Sequence, residues 1–475
     1  MRNLIIGRKG ELKILDEVFV SDRSEFISVT GRRRVGKTYL INAHFEDEII
    51  FHFTGLLKAT MKQQLINFHH ELNAYFKTRD KNTEFSTWFE AFFALSTLIE
   101  KDKRKRKKVI FIDELPWLDT HKSNFITGLD WFWNSWAVKR KDILLVVCGS
   151  ATSWMIRKIV NSRGGLHNRL TQRIHLKPFS LKETVEFLGS RKIKLSSHQI
   201  SQLYMALGGI PHYLNDVRKG ESAMQAIDRI CFKRNGLLSN EFDNLYSALF
   251  KNSDLHLKVV RALSSKLRGL SRKEILSVTK IKDGGALSGV LEELSWCNFI
   301  ESTSCFGKTK KDSLFRLTDE FSLFYLQFMH NKSNVNWMQL SASTKWKAWS
   351  GYAFENLCMK HLQEIKKALG ISGVYTQCYA FQSRGNKFKN GTQIDLLIER
   401  NDRIINLCEI KFHDRVYSLT KDQARKIENK VSIFRSETKT RKTIFPTLIT
   451  SNGVTLNENY VGLIDQDLTL EDLII

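Results

Sequence analysis

Residues 31–38 read Gly31-Arg32-Arg33-Arg34-Val35-Gly36-Lys37-Thr38, the spacing G-x-x-x-x-G-K-[ST]. Two glycines so placed let a backbone curl until its N–H groups face phosphate oxygens. Lys37 then reaches the β and γ phosphates, Thr38 offers a hydroxyl to Mg²⁺, and the helix beneath adds its dipole. A second set of residues lies in "QIDLLIERNDRIINLCEIKF", residues 393–412. Asp395 interrupts one apolar run, and Glu409 and Lys411 interrupt the next. Strand residues two apart share a face, so Glu409 and Lys411 point the same way. If the runs fold as a hairpin about residues 399–403, Asp395 lies opposite or diagonal to Glu409. Glu355 falls on one helical stripe with Tyr352, Met359 and Leu362. A carboxylate among apolar neighbours wants a metal or a basic partner.

The elements that must position these residues are legible in part. "EFISVT" (25–30) reads as a strand, followed by the glycine turn and the helix pattern "TYLINAHF". "VIFI" (109–112) and "ILLVVC" (143–148) are two more apolar strands, and strands alternating with helices argue for a parallel α/β sheet. "VIFIDE" ends in Asp113, placed to hold Mg²⁺, and Glu114, placed to polarise an attacking water. Solvated acids at a strand end are the bland alternative. The third strand runs into Ser150, where a polar γ-phosphate sensor would sit. Residues 180–245 look helical throughout. Residues 256–320 give helices and then a short basic hairpin, and 346–367 one long helix before the strands of the 393–412 stretch.

A chain of 475 residues is too long for one core, so about two to four domains are expected. With 74 Lys+Arg against 50 Asp+Glu the formal charge is +24, which favours a polyanionic partner, most simply nucleic acid. The run "KDKRKRKK" (101–108) reads first as a solvated loop and second as a nucleic-acid contact. Seven scattered cysteines with no C-x-x-C pair argue against a disulfide framework or a zinc knuckle. The first residues carry too short an apolar run for a signal peptide, and no stretch approaches the ~20 apolar residues of a bilayer span. The expectation is a cytoplasmic protein with no membrane partner.

In order, "IIGRKGEL" (5–12), "GRRRVGKT", "VIFIDELPWL", "LLVVCGS", "NRLTQRIHLKPFSLKET" (168–184) and "GGIPHYL" (208–214) resemble the AAA+-related ATPases of archaea and some bacteria, relatives of the signal-transducing P-loop ATPases. The resemblance covers residues 4–245. It implies ATP and Mg²⁺ as cofactors, Gly7, Arg8 and Glu11 near the adenine, and Gly209 and Pro211 in a turn that closes on the nucleotide. It implies Arg169 as an arginine acting in trans, with Arg173 second, and hence a homo-oligomer. His167-Asn168 departs from the family's usual lead-in to that arginine.

The order helix-Glu, strand-Asp, strand-Glu-x-Lys over 345–475 resembles the PD-(D/E)XK nuclease superfamily, including the approach Gly391-Thr392-Gln393-Ile394-Asp395. That resemblance implies Asp395 and Glu409 as Mg²⁺ ligands with the Ile410 carbonyl between Glu409 and Lys411. Lys411 would orient or deprotonate the water, Glu355 would complete the site, and Gln423 and Lys426 would contact the scissile phosphate. A domain that kept the fold and lost catalysis is the alternative.

Residues 256–320 suit a winged helix, with 270–279 and 285–301 as its second and third helices. Its wing, 302–318, carries Lys308, Lys310, Lys311 and Arg316, while Glu292 and Glu293 on the recognition helix disfavour a phosphate backbone. A packing or oligomer module fits these residues equally.

The expected fold class is α/β. A P-loop ATPase core (1–178) carries a helical lid (179–250), a winged helix (251–330) and a restriction-endonuclease-like α/β domain (345–475). The leading functional reading is an ATP-driven machine acting on DNA, with RNA second. The others are a nucleotide-dependent switch that binds without cutting and a DNA-binding regulator led by the winged helix.

Overall fold

The computed structural model describes all residues except 1–4, 79–83, 161–165, 167, 251, 309–311, 331–335, 384–390 and 475. His167, Lys310 and Lys311 lie outside the described residues. The chain divides into two compact units, Met1–Lys177 with Ala248–Lys251 and Pro178–Ser247 with Asn252–Ile475.

The first unit is built on five parallel strands: β1 (Glu25–Thr30), β2 (Ile49–Thr54), β3 (Lys108–Asp113), β4 (Ile143–Gly149) and β5 (Gln172–His175). Their order is β2-β3-β4-β1-β5. The apolar runs of β1, β3 and β4 are buried along their whole length, as expected of central strands covered on both faces. β4 lies between β1 and β3, so the chain ends that follow Thr30, Asp113 and Gly149 are neighbours. In open parallel sheets, ligands bind at this carboxyl edge. Phe51, Phe53, Phe68, Trp88, Phe92, Phe125 and Phe132 fill one face of the sheet.

In the basic run before β3, residues 103–106 are exposed, but the last two lysines are buried. Lys107 Nζ donates to the Val18 and Ser21 carbonyls at 2.8 and 3.0 Å, and Lys108 Nζ pairs with Asp142 at 2.7 Å. Those two charges serve the fold.

The second unit holds two sheets. β6 (Leu270–Ser271), β7 (Ile300–Thr303) and β8 (Leu314–Leu317) form a small antiparallel sheet in the order β6-β8-β7. β9 (Thr376–Ser383), β10 (Thr392–Arg400), β11 (Ile404–Lys411), β12 (Thr443–Thr450) and β13 (Gln466–Thr469) form a mixed sheet in the order β13-β12-β11-β10-β9. β10 and β11 are the expected antiparallel hairpin, and the Lys421–Thr438 helix carries the chain from β11 to the parallel β12.

The single helix expected over 346–367 is two, Thr344–Lys360 and Leu362–Ala368. The break falls at His361, whose Nδ1 bonds the Leu357 carbonyl at 2.8 Å and whose Nε2 accepts from Leu181 N at 2.9 Å. A buried imidazole serving one donor and one acceptor is neutral, and burial lowers its pKa.

Within the expected wing, Lys308 is exposed but Cys305 and Phe306 before it are packed. Beyond β7 the chain bridges β9 through Cys305 and Ala380, and Phe306 packs on Tyr379 and Phe434, 5.3 and 5.1 Å between ring centroids. Nor does Glu293 look outward: it pairs with His256 Nε2 at 2.8 Å, while Glu292 is exposed. Among the described residues, no helix is long and apolar enough to cross a membrane.

Candidate functional sites

The loop after β1 is shaped by backbone that few residues tolerate. Gly31 has φ 141°, and a Cβ there would lie 2.3 Å from the Leu176 carbonyl oxygen. Arg34 and Gly36 follow with φ 71° and 92°. Left-handed residues in such a loop make the backbone concavity that binds anions, and the Lys37–His44 helix starts at its base. Arg32 and Val35 are buried within the loop and Arg33 is exposed. Buried Arg8 braces the loop from outside, donating to the Val35 carbonyl at 3.2 Å and the Lys177 carbonyl at 2.7 Å. Lys37 Nζ donates to the Gly31 and Arg32 carbonyls at 2.9 and 3.0 Å.

The strand ends meet this loop. Thr38 Oγ1 donates to Asp113 Oδ2 at 2.5 Å, and Asp113 Oδ1 accepts from Glu114 N at 2.8 Å. Glu114 itself has φ 46°, which turns the chain sharply after β3. Its Oε2 accepts from Ser150 Oγ at 2.9 Å and from Ser150 N at 3.3 Å. A hydroxyl and a carboxylate side by side are hard oxygen donors of the kind Mg²⁺ takes beside phosphates, so Thr38 and Asp113 fit that ion.

Arg169 is exposed, as is Arg173, which donates to the Val160 carbonyl at 3.4 Å. Gly209 and Pro211 belong to the second unit. A Cβ on Gly209 would meet the Phe179 carbonyl oxygen at 2.0 Å, and Pro211 opens the short Pro211–Leu214 helix.

The 393–412 hairpin gathers a second set of charges. β10 and β11 pair Leu396 with Cys408, and continuing that register by one residue sets Asp395 across from Glu409. The pairing of β10 with β9 shifts between Ile394 and Leu397, a bulge that places Asp395 outside the regular ladder. Asp395 Oδ1 accepts from Gln393 Nε2 at 2.6 Å and lies 3.9 Å from an Arg316 terminal nitrogen.

Both oxygens of Glu409 are engaged, Oε1 by Lys411 Nζ at 2.6 Å and Oε2 by Lys430 Nζ at 2.7 Å. Burial acts to raise the Glu409 pKa, yet the two lysines hold it below the usual carboxylate value. Burial likewise opposes the Lys411 charge, and Glu409 holds that pKa above the ordinary lysine value. Glu355, on the Thr344–Lys360 helix, is pushed up to about 8 by burial and by the facing Asp395, against the pull of Arg316 and Lys411. Glu355, Tyr352 and Lys411 also line a cavity of about 960 Å³ whose other walls include Arg268, Lys347 and His413.

Two cations that meet this hairpin, Lys430 and Arg316, are not among the residues the sequence marks for it. Gln423 is used locally, its Oε1 accepting from Thr420 N at 3.0 Å in a helix cap, and Lys426 is exposed. Lys430, one turn further on, pairs with Glu409 at 2.7 Å. Arg316 belongs to β8 and was assigned to a surface wing. It is 5% exposed and turned toward Asp395. Helical spacing marks Lys430 as sharing a face with Lys426, but not which turn meets the sheet. Nothing in the sequence signals Arg316.

Residues 6–217 match an ATPase domain family described as predominantly from Archaea. An uncharacterized protein of Methanocaldococcus jannaschii is 24% identical over 420 residues, 86% of this chain and 88% of that protein. Among solved structures, a Walker-type ATPase of Pyrococcus abyssi is similar in fold, with a TM-score of 0.50 and 19% identity over 68% of this chain and 96% of its own. The ORC2 protein of Aeropyrum pernix, in ADPNP and ADP complexes, aligns with a TM-score of 0.43 and 14% identity over 69% of this chain and 95% of its own. The chain is a P-loop ATPase, which binds and hydrolyses ATP.

Proposed function

We propose that ATP turnover in the first unit serves Mg²⁺-dependent cleavage of DNA phosphodiesters at the 355–411 site. One observation carries the reading: Asp395, Glu409 and Lys411 share one patch of a hairpin, with Glu355 close enough for its proton affinity to respond to all three. At the nucleotide, Gly31–Thr38 cradles phosphate, with Lys37 against the β and γ groups, Thr38 and Asp113 toward Mg²⁺, and Glu114 orienting water. Arg169, exposed in the first unit, reaches the nucleotide of a second copy.

At the hairpin, carboxylate and carbonyl oxygens are the donors Mg²⁺ takes, so Asp395, Glu409 and the Ile410 carbonyl fit it. When bound, Mg²⁺ supplies charge for the phosphorane-like transition state and an activated water. Lys411 orients that water and offsets charge. The charge of +24 supports DNA as partner, with RNA second. The small β6-β8-β7 sheet with helices 272–279 and 285–296 supports a winged-helix module that braces the hairpin domain.

The decisive experiment is Mg²⁺-dependent cleavage of plasmid by the full chain, lost in Glu409→Gln and in Lys411→Ala with ATPase activity retained. An intact chain that hydrolyses ATP and cuts no DNA sinks the nuclease half. A second reading then holds, a nucleotide-dependent switch that binds without cutting. It is favoured by the two lysines already on Glu409.

A further inference from the structure

We infer that Arg316 is a ligand for the substrate's phosphodiester at the hairpin site, supplied by the β6-β8-β7 module; the inference rests on the nucleic-acid reading above. Arg316 is 5% exposed, and its Nε has no hydrogen-bond partner among the described residues. Its ion pair with Asp395 is loose, at 3.9 Å. A guanidinium is donor-only, and burying even one of its N–H groups without an acceptor is unfavourable. Folding would expel such a side chain to water unless its seat were built. This seat is built: a Cβ on Gly269 would meet Arg316 Cγ at 2.9 Å, and the bridge from Cys305 to Ala380 ties this sheet to β9. The seat aims the charge into the patch, where it acts on both Glu355 and Tyr352.

The patch explains what the spare donors are for. Glu409 is already satisfied by Lys411 and Lys430, so Arg316 adds nothing to it. A planar fork of N–H groups matches two oxygens of one phosphate, and Arg binds such groups where Lys is only a point charge. The adjoining cavity carries Arg268, Lys347, Lys411 and His413 against the carboxyl groups of Glu355 and Asp414, a lining in which basic groups outnumber acidic ones and which suits a polyanion. With Asp395 serving a divalent ion, the fork is left to the phosphate.

The test is anisotropy of a fluorescein-labelled forked DNA, offering duplex and single strand, titrated with the full chain in Ca²⁺ and in EDTA. Mn²⁺ binding to the same proteins is titrated separately. Wild type should bind more tightly in Ca²⁺. Arg316→Gln should lose that gain, weakening binding roughly 10-fold, the scale of one charged hydrogen bond. Its Mn²⁺ affinity should persist, and Arg316→Lys should restore only part of the DNA affinity. A structural role would degrade metal and DNA binding together. Equal DNA affinity in Arg316→Gln and wild type overturns the assignment, as does parallel loss of Mn²⁺ binding in both Arg316 variants. Failure of wild type to bind the fork at all overturns the nucleic-acid reading itself.

Discussion

The two sites handle charge in opposite ways. At the loop after β1, Lys37 is held by backbone carbonyls and Asp113 by a hydroxyl and an amide, so cation and anion are kept apart by neutral groups. At the hairpin, Glu409 is closed by two lysines and Asp395 faces an arginine. Neutral partners exchange for a charged ligand at small loss, whereas an ion pair must be broken before either member can serve one. The first site is therefore poised for a charged ligand that displaces only neutral partners, as ATP does. The second is self-neutralised, and any ligand there must displace paired cations and anions together.

The widest difference between the sites should appear on removing a cation from each. Lys37→Ala is expected to slow ATP hydrolysis by roughly 10²–10³-fold, the scale of one preorganised electrostatic contact. Phosphate release by the purified chain measures it, and DNA binding should be unmoved. A hydrolysis rate within a factor of two of wild type would remove Lys37 from the site.

At the hairpin, deletion should show first in stability. Glu409→Ala leaves Lys411 and Lys430 facing each other, partly exposed at 32% and 20%. Loss of roughly 2 kcal/mol is expected in urea unfolding, less than for a fully buried pair. An unchanged midpoint would mean that the ion pairs do not hold in solution.

The proton on Glu355 sharpens the contrast further. Its folded pKa of about 8 lies above the unfolded carboxyl value, ~4.3. Between those values the unfolded chain releases a proton that the folded chain keeps. Stability therefore falls as pH rises through this window, and the loss is complete above the folded pKa. Glu355→Gln should flatten the fall in Tm between about pH 5 and pH 9. A parallel fall in both proteins would show that the carboxyl is not held protonated.

The smallest effect is expected at Ser150→Ala, which removes one of two bonds to Glu114. Hydrolysis should slow roughly 5-fold, about 1 kcal/mol, with ATP affinity kept. A far larger loss would make Ser150 a direct phosphate contact and not a brace.

Legibility followed how far apart in sequence the partners lie. β1, β3 and β4 are apolar runs followed by glycine or acids, so their ends could be read directly, whereas β2 and β5 carry His52, Gln172, Arg173 and His175 and lack that signature. The hairpin was legible because a period of two fixes which side chains share a face. The break at His361 was not, since it depends on a bond to Leu181 N, far along the chain.

The sequence alone determined the phosphate loop, because glycine conformations and a strand-to-helix turn are local constraints that a contiguous motif must satisfy. It also determined that Glu409 and Lys411 share a face, because strand periodicity is local too. Only the tertiary structure decided that Lys430 closes Glu409, and that Arg316 points inward at Asp395. Which turn of a helix meets a sheet, and which sheet edge receives a neighbouring hairpin, are set by packing such as Phe306 on Phe434. No local period encodes those contacts.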